Sequence, residues 1–337
     1  MTVIASAPGK VNLVLLVAKP DERNFHPLYS IFETLNIRET ATVETRPIAR
    51  TDVLHEGYPI VVTTVEPDSA GGITAGEQPQ LGKASQLSEL SHLDPTRHLA
   101  WRAAAALIDE ANSRGLNGPA PDHVLDIEIT KRIPIAGGMA GGSADAAATL
   151  VAVNRALGLD LDDESLHEIG RKLGADIPAC LQGGISLGLG YGDHMTRLDD
   201  ESTHTHHWVM VTMEQGLSTP AVFKEFDSRG RGRDELPTQL RHQDRAVLGR
   251  ASVMRQVLEN DLQETAREIH PTLEKAWEVI EQTDALASIL SGSGPTVAVL
   301  ARNEKHALEL ATHLKNQPGI ANAFTTSGPS QPARIEN

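Results

Sequence analysis

Residues 134–144 read Pro134-Ile135-Ala136-Gly137-Gly138-Met139-Ala140-Gly141-Gly142-Ser143-Ala144, a glycine-rich loop between two different periodicities. Before it, residues 124–130 alternate apolar and polar, the mark of a strand. After it, residues 143–157 are an alanine-rich run with Gly158 behind, the mark of a helix stopped by glycine. The segment is therefore strand, loop, helix. Its glycines let backbone N–H groups converge on an anion, and the helix start adds unsatisfied donors and the positive end of a dipole. A polyphosphate suits this cradle; a plain strand-to-helix turn would need fewer glycines. The loop has neither the G-x-x-x-x-G-K-[ST] nor the G-x-G-x-x-G spacing, so it is neither a P-loop nor a Rossmann turn.

Upstream, residues 3–18 read as a strand interrupted by Pro8-Gly9, with Val11, Leu13, Leu15 and Val17 on one face and Lys10 and Asn12 on the other. Residues 31–43 add further strand. Residues 66–95 are rich in Gly, Ser, Pro, Gln and Glu and read as a long, poorly ordered surface insertion. A helix follows over 99–112. Asp162 and Asp163 cap another, carrying Leu166, Ile169 and Leu173 and closed by Gly174. Strands are expected over 185–189 and 208–212, helices over 261–269, 273–282 and 304–314, a strand-loop-strand over 287–300, and a frayed tail from Thr326. A boundary near residue 200 divides the chain into two domains, 1–200 and 201–337.

The 337 residues carry a net charge of −15, with 40% apolar and 22% charged residues, an ordinary globular composition. So negative a chain, with 3% aromatic residues, is a poor binder of nucleic acid backbone and has few platforms for stacking bases of a single strand. The single cysteine, Cys180, excludes an internal disulfide and a cysteine-based zinc cluster, and reads as a core residue in a cytoplasmic protein. No run is long enough to span a membrane, and residues 1–7 lack the basic and apolar regions of a signal peptide.

Three more segments carry candidate chemistry. Lys10 and Asn12 share a strand face and suit phosphate or hydroxyl contacts, although such a pair taken alone reads as a solvated face. Asp176 lies between Gly174 and Pro178, where an aspartate by itself is a helix N-cap; beside a lysine it becomes a proton acceptor for a substrate hydroxyl. Ser291-Gly292-Ser293-Gly294-Pro295-Thr296 is a turn between apolar strands that suits either a hairpin or a flap over phosphate. His204, His206 and His207, and Arg229, Arg231 and Arg233, read as solvated loops.

In this order, Pro8-Gly9-Lys10, Gly137-Gly138-Met139-Ala140-Gly141-Gly142-Ser143 and Ser291-Gly292-Ser293-Gly294 resemble the three motifs of the GHMP small-molecule kinases, and the likeness runs nearly end to end. Ala7-Pro8-Gly9-Lys10-Val11-Asn12-Leu13, Phe25-His26, Gly174-Ala175-Asp176-Ile177-Pro178 and Thr219-Pro220-Ala221-Val222-Phe223 resemble those members whose acceptor is a cytidine diphosphate methylerythritol; the alternatives are a GHMP kinase acting on homoserine, mevalonate or a sugar, or a non-catalytic nucleotide-binding protein on the same scaffold. The resemblance implies an α+β fold of two domains, an N-terminal ribosomal protein S5 domain 2-like one that binds ATP and a C-terminal ferredoxin-like one for substrate. It implies Lys10 and Asp176 as the catalytic pair, and ATP with Mg2+ on residues 134–144. It implies substrate contacts from Asn12, His26, Ser293 and Gly294, with Phe25 and Phe223 sandwiching the cytosine ring. Where the family usually has Gly-Tyr-His, this chain has Asn24-Phe25-His26, which keeps stacking and drops a hydroxyl.

Overall fold

The computed structural model describes residues 2–67, 94–192, 194–200 and 202–336. The insertion expected over 66–95 lies, apart from its ends, outside the described residues.

Strands β1 (Thr2–Val17) and β2 (Leu28–Pro47) form a long antiparallel hairpin. β3 (Ile60–Val65), helix α1 (Leu99–Ser113) and β4 (His123–Thr130) follow, with β4 antiparallel to β2 and parallel to β3. Helices α2 (Gly141–Leu157), α3 (Asp163–Leu173) and α4 (Ile177–Gln182) lead to β5 (Ile185–Leu189), which pairs with the other half of β2, and to β6 (His194–Arg197) beside it. The chain continues through β7 (His206–Thr212), α5 (Thr219–Ser228), α6 (Ala251–Met254), β8 (Glu259–Asn260), α7 (Gln263–Ile269) and α8 (Pro271–Glu281). It ends with β9 (Ala287–Leu290), β10 (Val297–Ala301), α9 (Glu304–Leu314), β11 (Asn322–Gly328) and β12 (Arg334–Ile335).

Two sheets result. The first has eight strands, β8 and β12 coming from beyond residue 200 to pair with β1. The second runs β11-β7-β10-β9, the antiparallel order of a ferredoxin-like unit. Alternation on β7 shows how they stack: Trp208 and Met210 join the core under the first sheet, while Val209 and Val211 join a second core with α8 and α9.

Four expectations need correction. Leu13 is an extra residue in β1, inserted between the Asn12 and Val14 pairings, so Val11, Leu13, Val14 and Leu16 share one core while Leu15 and Val17 turn to the other. The tail does not fray: β12 pairs with β1, and Arg38 donates to the carbonyls of Gln331 and Pro332. His206 is buried between Glu33 and the Gly249 carbonyl, each 2.8 Å away. Arg231 binds Glu268 and Thr265, and Arg233 binds Asp261 and Glu259, so this loop is tied down by charge pairs.

Candidate active site

The bulged stretch of β1 sets the first side chains. A Cβ on Gly9 would lie 2.9 Å from Ile133 Cδ1 and 3.1 Å from the Met139 carbonyl, so a side chain here would push the Ile133 tip aside and crowd the loop backbone against the strand. Lys10 N donates to that same carbonyl. Lys10 is buried, and its ammonium donates to Asn12 Oδ1 at 2.7 Å and to the Gly138 carbonyl at 3.1 Å. Asn12 Nδ2 donates to Ser30, whose hydroxyl donates to the Val14 carbonyl, so the amide that aims Lys10 is itself fixed.

Asp176 sits at the N-cap of α4, yet its side chain makes no capping bond. Its Oδ2 lies 3.4 Å from Lys10 Nζ, with about a third of the side chain exposed to the cavity. The aspartate thus gives up the role its sequence position favours and faces the lysine instead. Cys180, one turn on, is buried, and burial pushes its thiol up and out of reactivity.

The glycine loop wraps around this pair. Ala136, Gly138 and Ala140 all have positive φ, and α2 starts at Gly141 with no side chain capping it, so its first N–H groups are left for a ligand. A Cβ on Gly138 would lie 2.1 Å from the Ser291 carbonyl, which shows how closely the 291–294 turn packs on the cradle. Behind the loop, Lys131 binds both oxygens of Asp145 and, at 2.7 Å, Glu39, all three buried. Glu39 also accepts from Arg132 N and Ile133 N. Burial pushes the Glu39 carboxyl up and Lys131 pulls it back only in part; the two carboxylates outweigh burial at Lys131 and push its ammonium up. This triad ties β2, the start of the loop and the first turn of α2 together.

A cavity of about 480 Å³ opens on these groups, lined by Lys10, Asn12, Asp176, Ser293 and residues 134–142. Ser143 and Ala144 are not in its lining, because the helix already starts at Gly141 and turns Ala144 into the core. Gly294 is not either: it packs on Leu290 and its N–H closes the turn onto the Ser291 carbonyl.

Two sequence profiles match the chain, "GHMP kinases N terminal domain" over residues 98–184 and "GHMP kinases C terminal" over 238–320. A 4-diphosphocytidyl-2-C-methyl-D-erythritol kinase of Cutibacterium acnes is 34% identical, over 99% of this chain and 97% of its own length. Its namesake from Corynebacterium jeikeium is 36% identical over 99% and 94%. The chain is a GHMP kinase. Among solved structures, a 4-(cytidine 5'-diphospho)-2C-methyl-D-erythritol kinase shares the fold with a TM-score of 0.65 and 23% identity, covering 97% of this chain and all of that one. The L. major mevalonate kinase in complex with R-mevalonate does so at 0.68 and 17%, covering 98% of this chain and 96% of that one.

In this GHMP kinase a second, wider cavity of about 1020 Å³ adjoins the first, sharing Leu28, Ala175, Tyr191, Thr219 and Phe223. It also holds Phe25 and His26. Asp21 builds the turn that presents them, accepting from Phe25 N and Arg23 N, bonds that hold its carboxyl below the usual range. Asn24 takes φ 63 in that turn, a left-handed conformation that asparagine tolerates. Phe25 is 63% exposed with its ring edge-on to Tyr191 at 6.1 Å, and Phe223 lies 4.8 Å from His26. The two phenylalanines line one cavity, each backed by another ring.

Sequence reasoning missed three residues. Tyr191 lies in a glycine-rich turn with no motif. Asn260 donates to the carbonyls of Leu290 and Gly292 and so holds the 291–294 turn, from 30 residues away. Glu39 sits in a strand that reads as ordinary alternation.

Proposed function

We infer that this GHMP kinase transfers the γ-phosphoryl group of ATP to the 2-hydroxyl of 4-diphosphocytidyl-2-C-methyl-D-erythritol, giving the 2-phosphate in the non-mevalonate route to isoprenoid precursors. The observation that carries it is the Lys10–Asp176 pair at the mouth of an amide cradle, opening onto an aromatic-lined cavity. It stands in a chain that shares a third of its residues, over nearly full length, with kinases of that name.

In this reading the triphosphate lies on the amides of 137–142 and the start of α2, and the wider cavity takes the cytidyl group, with Phe25 and Phe223 against the base. Asp176 accepts the proton of the attacking hydroxyl, and Lys10 stabilises the charge on that oxygen and on the phosphoryl group in transfer. Asn12 keeps Lys10 in place and faces the acceptor, while Ser293, 2.7 Å from the Thr219 hydroxyl, closes the side of the cavity. Asp145 lines the first cavity on the side of the amide cradle, away from the proton-accepting role given to Asp176, and a single carboxylate fits Mg2+ carried mostly by substrate phosphates. Asp145 would hold the ion through the lone pairs Lys131 leaves, and the ion would offset phosphate charge.

No helix among the described residues is long and apolar enough to cross a membrane. A cytoplasmic address belongs to the same proposal. The test is a coupled ADP-release assay with the cytidyl substrate against homoserine and mevalonate. Turnover with the cytidyl substrate at least a hundredfold above both is expected; equal or greater use of either competitor refutes the assignment, and no turnover with any refutes catalysis.

A further inference from the structure

The wider cavity contains a charge that phosphoryl transfer does not use. Its charged lining is cationic, from Arg23, Arg171, Lys172 and Lys224, except for one carboxylate among the described residues, Asp227. Asp21 engages Arg23 and Glu164 engages Arg171, whereas Asp227 pairs with none of the four cations. A negative charge repels the diphosphate that this cavity admits, so its presence calls for an offsetting contact.

The partner of Asp227 is His26, whose Nε2 lies 3.3 Å from Oδ2. The His26 ring is fixed on its other sides, by the Ala18 carbonyl 2.8 Å from Nδ1, by Phe223 and by Phe226 at 6.4 Å. His26 and Asp227 therefore form a rigid polar edge within an aromatic cavity. The second carboxylate oxygen, Oδ1, has no hydrogen bond among the described residues. An ionised carboxylate only accepts hydrogen bonds.

We propose that Asp227 is the residue by which the pocket tells cytosine from uracil, accepting a hydrogen bond from the exocyclic amino group of a base stacked in the cavity. The proposal rests on the cytidyl reading above. Cytosine carries an amino donor where uracil carries a carbonyl oxygen. Against a carboxylate the first makes a charge-assisted bond and the second sets two acceptors face to face. Stacking on Phe25 and Phe223 cannot supply this distinction, since every base has a π-face. The side chain of Asp227 is 37% exposed, so water can relieve part of the clash, and the preference is of the order of tenfold rather than the largest seen for buried edges.

The experiment is calorimetric titration of the full-length protein with cytidine 5'-diphosphate and uridine 5'-diphosphate, for the wild type, Asp227→Asn and Asp227→Ala. The readout is the ratio of the two affinities, from which any general loosening of His26 cancels. The wild type favours the cytidine nucleotide about tenfold, Asp227→Ala loses that preference, and Asp227→Asn loses or reverses it because its amide can donate to the uracil carbonyl. A wild-type ratio kept in both variants overturns the role of Asp227 and leaves the cytidyl reading standing. A wild type without preference, or binding neither nucleotide, overturns both.

Discussion

Replacing Asp176 by asparagine separates proton acceptance from everything else at the site. The carboxylate stands 3.4 Å from Lys10 Nζ. At that distance the attraction is about 5 kcal/mol at an effective dielectric of 20 and about 1 kcal/mol in water, and partial exposure places the pair toward the lower figure. The substituted amide keeps the shape, and Lys10 loses its counter-charge but keeps its hydrogen bonds to Asn12 Oδ1 and the Gly138 carbonyl, so the ammonium stays satisfied and the fold stands. What is lost is a group able to take the hydroxyl proton. Removing a general base costs about 10²- to 10⁴-fold in rate, roughly 3–5 kcal/mol of barrier. The amide cradle does not include Asp176, so the ATP Michaelis constant should move by less than about threefold. The assay is steady-state ADP release at saturating cytidyl substrate, with a thermal melt as the control for folding. A turnover number within about tenfold of wild type, with superimposable melts, would refute the assignment of Asp176 as proton acceptor.

Gly138→Ala should lower both thermal stability and ATP affinity, by about 2–3 kcal/mol for stability, because the added Cβ meets the backbone of Ser291 in a left-handed conformation; a melt and an ATP titration check it. Lys131→Met leaves Glu39 and Asp145 buried without their cation and should cost about 3–5 kcal/mol in urea unfolding; a loss under about 1 kcal/mol would mean the triad does not hold the loop. His206 gives a pH signature: burial opposes its charge, but Glu33 outweighs burial and raises its pKa above 6.5. A raised folded-state pKa contributes stability in full below the unfolded value and loses it as pH rises through the folded one, so the melting temperature should fall from about pH 6.5 upward, and less steeply in His206→Gln. Phe223→Ala should raise the Michaelis constant of the cytidyl substrate about tenfold and leave that of ATP unchanged; the reverse pattern would put Phe223 on the adenine side.

The sequence by itself determined the features that depend on neighbours a few residues away. The glycine loop opening a helix, the Asp162 cap whose carboxylate accepts from Ser165 N, and the helix over 304–314 all follow from local periodicity, capping and the conformational freedom of glycine. The resemblance to the GHMP kinases also implied Lys10 and Asp176 as one pair, although Asp176 judged on its own stretch reads as a cap. Only the tertiary structure decided that it is not one, because its partner comes from the bulged strand at the other end of the domain. The same holds for the Glu39–Lys131–Asp145 triad, for Asn260 behind the serine-glycine turn, for His206 against Glu33, and for the tail that returns to β1. Each is a polar group removed from water and matched by one distant in the chain; periodicity records which face is apolar, but not which buried donor meets which acceptor.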